Sequence, residues 1–500
     1  MRAAEEQPRS RPGTGALVIA SNRLPVRVVQ GEEGRLQLEP SSGGLVTALG
    51  GIGEEFGWIG WPGAAVPAGQ EAELRAELAL RGLHPVLLDQ QEEADFYGRI
   101  CNDTIWPLFH YFVDRLRYTD SAWRTYVDVN ERFADALAEH APHGARVWVH
   151  DFHLMLVPAA LRRRRPDVSI GFFLHIPFPA SEVYRLLPSR EEVLNGLLGS
   201  DYIGFHTSDY VHHFRSACLR VLGVESTAEG VDHEGRIVGL GADPIGIDVA
   251  RFRDVLGQPE TRELIDGLDE RFAGQRLVLG VDRLDYTKGI PQKLRAFERF
   301  LEDDPQRAQA TTMLQVLVPS RLESAVYRVQ RDEIELEIAR INGRFGRPGR
   351  TPVEVMHRTI TPDELVALYR RADVMAVTPV RDGMNLVAQE FVLCQTAEPD
   401  LPSHARGVLL LSEFAGAAQS LPGAVLVNPW DVAGVAARLE EALELPLAER
   451  RWRLDLMSGS VERLDAPRWA EGFLEKLRRA ARQDARLAAP RPRGRAAAVQ

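Results

Sequence analysis

Five hundred residues exceed one ordinary hydrophobic core and point to two domains of about 200–250 residues each. A hydrophobic content of 45% with 26% charged residues is ordinary for a soluble globular chain, and a net charge of −11 excludes a general nucleic-acid binder, which needs a basic face. The cysteines Cys101, Cys218 and Cys394 are too far apart for a disulfide or metal framework, no apolar run reaches membrane length, and the N-terminal arginines precede no signal-peptide core. A cytoplasmic location with buried free thiols is expected.

Residues 1–14 and 487–500 are polar or Ala/Pro/Arg-rich and read as disordered tails. Between them β-type runs alternate with helical segments. The first half offers Ala16–Ala20, Val86–Leu88, Val147–Val149, Ile170–Leu174 and Tyr202–Phe205; the second offers Leu277–Val281, Leu314–Val318, Val353–Val355, Val374–Val377, Val408–Leu411 and Val425–Val427. These runs are continuously apolar rather than alternating, which implies parallel strands buried on both faces. Ser189–Glu192 and Thr361–Glu364 have the form of capping boxes that open helices. The polar stretch Gln30–Glu39 reads as a hairpin or a mobile loop. The expected architecture is two doubly wound, Rossmann-like α/β domains facing across a cleft. One would span 15–248 and the other 249–486, with the last helices able to pack back on the first domain.

The chemistry concentrates at strand ends. Thr378-Pro-Val-Arg-Asp-Gly-Met-Asn-Leu-Val-Ala-Gln-Glu390 carries a strand into a helix. The amides of Met384, Asn385 and Leu386 there suit a phosphate, Gly383 permits close approach, and Glu390 lies one turn in, within reach of a sugar hydroxyl. An isolated D-G-M-N also fits an ordinary βα turn. Val281-Asp-Arg-Leu-Asp-Tyr-Thr-Lys-Gly289 places Arg283 and Lys288 beyond another strand; two cations suit a diphosphate leaving group, or else form a solvated loop.

In the first half, Ser21-Asn-Arg23, Ser41-Ser-Gly-Gly44, Trp58-Ile-Gly-Trp61, Tyr97 and Trp106 combine a cation with aromatic surface, as a sugar-phosphate pocket requires; Trp58 and Trp106 equally suit a core. Asp151, after His150, and His175 sit at two further strand ends, where they can orient hydroxyls. Metal-ligand spacing is lacking, and the run Arg162–Arg165 reads as a solvated helix end. Neither G-x-G-x-x-G nor a Walker A sequence occurs, so a sugar-nucleotide user gains over hydride and phosphoryl transfer.

Taken in order, Ser21-Asn-Arg23, Trp106-Pro-Leu-Phe-His110, His150-Asp-Phe-His153, Phe172-Phe-Leu-His-Ile-Pro-Phe-Pro179, Arg283-Leu-Asp-Tyr-Thr-Lys-Gly289, Arg340-Ile-Asn-Gly343, Arg381–Glu390, Leu411-Ser-Glu-Phe-Ala-Gly416 and Asn428-Pro-Trp430 resemble the trehalose-6-phosphate synthases. These are retaining, metal-independent glycosyltransferases of the GT-B fold in glycosyltransferase family 20. The resemblance covers roughly residues 16 to 480. It implies transfer of glucose from a nucleoside diphosphate donor, usually UDP-glucose, to glucose 6-phosphate, without metal or cofactor.

By the same resemblance Arg283 and Lys288 hold the donor diphosphate with the amides of Asn385 and Leu386. Glu390 takes the ribose hydroxyls, and Asp382 and His175 position the donor glucose. Asp151 binds the acceptor near its reacting hydroxyl, Arg23, Tyr97, Trp106 and Arg321 hold glucose 6-phosphate, and Trp61 and Gly44 line the entrance. The leaving phosphate takes the acceptor proton, so no nucleophilic side chain is needed. An Asp-x-Asp-x-Thr phosphatase sequence is not found, so a separate trehalose-phosphate phosphatase is implied downstream; a homo-oligomer is compatible with the family. The rival readings are a sibling with another acceptor (a glucosylglycerol-phosphate synthase or a pseudo-glycosyltransferase), a silent sugar-phosphate-sensing subunit, and a phosphorylase. The intact set Arg23, Tyr97, Trp106 and Arg321 favours a hexose phosphate. The presence of Arg283, Lys288 and Glu390 argues against a silent subunit, and no pyridoxal-phosphate lysine is identified for a phosphorylase.

Overall fold

The computed structural model describes residues 16–30, 36–41, 44–319, 325–397 and 406–488. They form two compact units: the residues up to Asp243 together with those from Ala470, and Pro244–Trp469.

In the first unit the strands are β1 (Leu17–Arg23), β2 (Val26–Gln30), β3 (Leu36–Pro40), β4 (Phe56–Trp61), β5 (Leu83–Pro85), β6 (Arg146–His150), β7 (Ser169–Phe173), β8 (Tyr202–Phe205), β9 (Gly230–His233) and β10 (Arg236–Ala242). Eight of them make one sheet in the order β5-β4-β1-β6-β7-β8-β10-β9, parallel except for the β10–β9 pair. Strand β6 is buried along its whole length and β1 up to Arg23, as continuous apolar runs require. Strands β2 and β3 pair antiparallel, Val26 opposite Pro40 and Gln30 opposite Leu36, so the polar stretch of the sequence is a hairpin in its described part.

Two expectations for this unit are corrected. The strand expected at Val86–Leu88 lies three residues earlier: its register is set by pairing with β4, where Trp58 faces Leu83 and Gly60 faces Pro85. The capping box expected at Ser189 does not form. Ser189 makes no cap hydrogen bond, and Glu192 instead accepts one from Trp123 Nε1 at 2.9 Å.

The long helix Ala466–Ala488 contributes Phe473 to the core of this unit, where its ring stacks on Trp148 at 4.3 Å with planes 9° apart. Gly171 of β7 makes room for it, since a Cβ there would stand 2.8 Å from the Phe473 ring.

The second unit holds β11 (Arg276–Arg283), β12 (Thr311–Val318), β13 (Val353–Met356), β14 (Val374–Val377), β15 (Val408–Ser412) and β16 (Val425–Val427) in an all-parallel sheet ordered β13-β12-β11-β14-β15-β16. That is the doubly wound order, in which the chain leaves the first strand in opposite directions and opens a crevice between β11 and β14. In the first unit the same reversal falls between β1 and β6. The core packs Val278, Ala376, Leu410 and Val427 against Ile290, Leu294 and Phe297 of the helix Ile290–Asp303, and against Val435 and Leu439. Thr361 and Glu364 form the expected reciprocal capping box of the helix Pro362–Arg371.

Candidate active site

In the second unit, Arg283 closes β11 and is exposed, with no hydrogen bond or ion pair among the described residues. Below it, Asp282 is buried with Lys293, Nζ to Oδ2 2.6 Å, and also accepts from Gln315 Nε2 at 3.0 Å, so the last turn of the strand rests on a satisfied polar network. The next turn is fixed by Asp285, whose carboxylate accepts from Thr287 N and Oγ1 and from Tyr327 OH, each at 2.9–3.0 Å. That turn delivers Lys288, whose Nζ lies 2.5 Å from Asp382 Oδ2.

Asp382 stands beyond β14 in a loop pinned to the segment after β15. Its amide donates to Phe414 O at 3.1 Å, and its carbonyl accepts from Gly416 N at 3.2 Å. A side chain at position 416 would put Cβ 2.0 Å from Gly383 O, so glycine is required for this approach. Asn385 adopts φ +75° and donates Nδ2 to Asp382 Oδ2 at 3.0 Å. It precedes the helix Leu386–Thr396 without capping it, leaving the positive end of the helix dipole available to an anion. One turn further, Glu390 Oε2 accepts from Tyr369 OH at 2.7 Å. Burial raises the Glu390 pKa above the ordinary glutamate value, opposed by the Tyr369 hydrogen bond and the charge of Arg251. Thus Lys288, from the turn after β11, meets Asp382 and Asn385 in the turn after β14, and Glu390 lies one turn into the helix that follows.

In the first unit, the Arg23 guanidinium lies 4.7 Å from the Trp61 ring and 5.3 Å from the Tyr97 ring, a double cation–π arrangement that holds a charge at the end of β1. Tyr97 sits on a wide, i→i+5-bonded helix, Ala94–Ile105, a geometry that recurs at functional sites. Its ring stacks on His153 at 5.9 Å. Trp106 begins the next helical turn and is buried against His110 at 4.2 Å and Phe152 at 5.8 Å. Trp58, by contrast, is a core residue whose Nε1 donates to Ser21 Oγ at 2.8 Å.

Asp151 follows β6 with φ +73° and ψ 169°, a region almost reserved for glycine, and its Oδ1 accepts from the His175 amide at 3.2 Å. His175 Nε2 meets His150 Nδ1 at 3.1 Å, and its carbonyl meets His206 Nε2 at 3.1 Å. Arg23, Trp61, Tyr97, Trp106, Asp151 and His175 are thereby linked around the carboxyl ends of β1, β4, β6 and β7. Gly44 begins the short helix Gly44–Leu49, and Arg321 lies outside the described residues. Sequence reading did not single out Lys293, Gln315, Tyr369 or His206; each acts through a neighbour from another element, and no local spacing marks such a partner.

Burial lowers the His150 pKa to about 3, and His175 is held well below its ordinary value by burial and then by His150, His206 and His153. Both rings are therefore neutral in the native state, whereas an unfolded histidine takes up a proton near pH 6.5. The unfolded chain then binds more protons, so native stability falls as the pH drops below about 6.5, by up to about 1.4 kcal/mol per pH unit for a fully desolvated ring. Urea unfolding at pH 7.5, 6.0 and 5.0 checks this: His150→Gln should show a shallower acid loss than the native chain, and parallel curves would exclude His150 as a source.

Among the described residues, no group of three or more His, Cys, Asp or Glu side chains could hold a metal ion, and no helix is long and apolar enough to cross a membrane.

The family model for glycosyltransferase family 20 matches residues 15–479. The chain is 42% identical over 469 residues to a UDP-forming α,α-trehalose-phosphate synthase A of Dictyostelium discoideum; the match takes in 93% of this chain and 63% of that protein's length. Among solved structures, a UDP-forming synthase from Burkholderia xenovorans in complex with glucose 6-phosphate superposes with a TM-score of 0.83 at 34% identity, over 93% of this chain and 100% of that one. An Escherichia coli trehalose-6-phosphate protein bound with UDP-2-fluoro glucose gives 0.82 at 32% identity, over 92% and 98%. The two doubly wound units are those of the GT-B fold, and a family match that runs through both of them, strand ends included, means that the chain belongs to glycosyltransferase family 20.

Proposed function

We propose that the chain transfers glucose from UDP-glucose to glucose 6-phosphate, giving α,α-trehalose 6-phosphate and UDP in trehalose biosynthesis. The observation that carries this reading is the convergence of Lys288, Asp382 and Asn385 at the uncapped amino end of the helix Leu386–Thr396. Cation, backbone amides and helix dipole there suit a diphosphate, and Arg283 adds a fork at the neighbouring strand end. Glu390 takes the ribose hydroxyls, and Asp382 and His175 are each assigned to the donor glucose by the family resemblance. In the first unit Arg23, held over Trp61 and Tyr97, takes the acceptor phosphate with Trp106, and Asp151 binds the acceptor near its reacting hydroxyl; Arg321, outside the described residues, is assigned to the same phosphate by the family resemblance alone. The relatives' names support the pair of substrates: UDP-forming synthases, one of them solved with glucose 6-phosphate, and an Escherichia coli protein bound with UDP-2-fluoro glucose.

In the transfer, the bond from glucose C1 to the diphosphate oxygen breaks as the acceptor hydroxyl oxygen bonds to C1 on the same face. The hydroxyl proton passes to the departing phosphate. Arg283 and Lys288 stabilise the charge gathering there, and no metal or cofactor is invoked. Three buried thiols and a nucleotide-sugar donor fit a cytoplasmic enzyme.

Nucleoside diphosphate release from UDP-, ADP- and GDP-glucose, each with glucose 6-phosphate or glycerol 3-phosphate, tests the reading. Release that needs glucose 6-phosphate and yields a non-reducing disaccharide phosphate supports it. Release only with glycerol 3-phosphate makes the chain a glucosylglycerol-phosphate synthase, and silence in every combination refutes the activity.

A further inference from the structure

We propose that Tyr369 is a positioning residue for the donor's ribose, acting through Glu390. This rests on the reading of Glu390 given above. Tyr369 is buried on the helix Pro362–Arg371, and its hydroxyl is the one hydrogen-bond donor to the Glu390 carboxylate among the described residues, at 2.7 Å to Oε2. A vicinal diol is gripped best by an ionised carboxylate whose two oxygens face it together. Burial works against that ionised form. The phenol hydroxyl, together with the charge of Arg251, opposes this effect: a hydrogen bond donated to a carboxylate oxygen favours the charged state and fixes the rotation of the group. With Oε2 held from behind, Oε1 and the second lone pair of Oε2 remain for the two hydroxyls.

The hydroxyl is not needed to pack the two helices. Gln395 Nε2 donates to Tyr369 O at 2.7 Å, and Arg370 Nη1 donates to Cys394 O at 2.7 Å, so the helices Pro362–Arg371 and Leu386–Thr396 stay tied when the phenol oxygen is removed. The Tyr369 ring also keeps its edge contact with Phe391, 6.5 Å between centroids. Tyr369→Phe therefore removes one donor and little else. The structure thus assigns Tyr369 to the orientation of a ligand-facing carboxylate.

The test is a cycle of enzyme against ligand: equilibrium binding of UDP and of 2′,3′-dideoxy-UDP to the native chain, Tyr369→Phe and Glu390→Gln. The native chain should prefer UDP, and Glu390→Gln should erase most of that preference. Tyr369→Phe should shrink it by about 3- to 10-fold, the scale of one charge-assisted hydrogen bond partly lost, with dideoxy-UDP binding unchanged. The KM for UDP-glucose should rise by a similar factor, with kcat and the KM for glucose 6-phosphate near native. Binding constants and KM do not depend on the fraction of folded protein, so partial misfolding cannot imitate this pattern. A native preference kept in full by Tyr369→Phe, but erased by Glu390→Gln, overturns the Tyr369 proposal alone. A preference untouched by Glu390→Gln overturns the reading of Glu390 and the proposal with it.

Discussion

Arg283→Ala and Lys288→Ala should each lower kcat for glucosyl transfer by about 10²-fold or more, the scale on which charge stabilisation at a departing group acts. The two variants should differ in stability. Lys288 is largely buried and its ammonium is shared with Asp382, 2.5 Å away, so its removal takes a cation from a carboxylate in a place water reaches poorly. Lys288→Ala should therefore lose melting temperature as well as turnover. Arg283 is exposed and has no ion-pair partner among the described residues, so Arg283→Ala should melt close to the native chain while turnover collapses. Steady-state kinetics beside thermal melts check both statements. Near-native turnover in the two variants would remove these cations from the diphosphate site.

Asp151 should give the second large effect, with an opposite signature in stability. Asp151→Asn should lower turnover by about 10²-fold, because in the proposed placement the negative charge of Asp151 faces the acceptor hydroxyl and an amide cannot supply it. Asp151→Gly should be as inactive yet melt no lower than the native chain. At φ +73° and ψ 169° an aspartate holds backbone strain of about 1–3 kcal/mol, and glycine relieves it. Against that gain stand the hydrogen bond from the His175 amide to Oδ1, which contributes about 1 kcal/mol, and the approach of His153 Nδ1 to Oδ2 at 3.9 Å. A marked drop in melting temperature for Asp151→Gly would mean the carboxylate is there to hold the fold. Native turnover in Asp151→Asn would sink its placement at the acceptor.

The amino-acid order by itself determined the parts whose physics is local. Continuous apolar runs such as Val374–Val377 and Val408–Leu411 can be satisfied only by burial on both faces, and both are strands buried along their length. Thr361-Pro-Asp-Glu364 carries its whole helix start within four residues. Arg283, Lys288, Asp382 and Asn385 were readable because turns beyond parallel strands are where polar side chains and free amides must gather.

What the tertiary structure alone decided depended on partners far away in the chain. The same four-residue logic failed at Ser189, where Glu192 is taken by Trp123, a competitor 69 positions distant. Strand β4 was not among the strands expected, Trp58-Ile-Gly-Trp61 being read as aromatic surface or core, yet a parallel neighbour on each side supplies the hydrogen bonds that make Phe56–Trp61 a strand. The glycine-like backbone of Asp151 and the Tyr369–Glu390 bond were likewise invisible. A strained φ persists only when its surroundings over-determine it, and a buried hydroxyl finds its carboxylate only after two helices have packed.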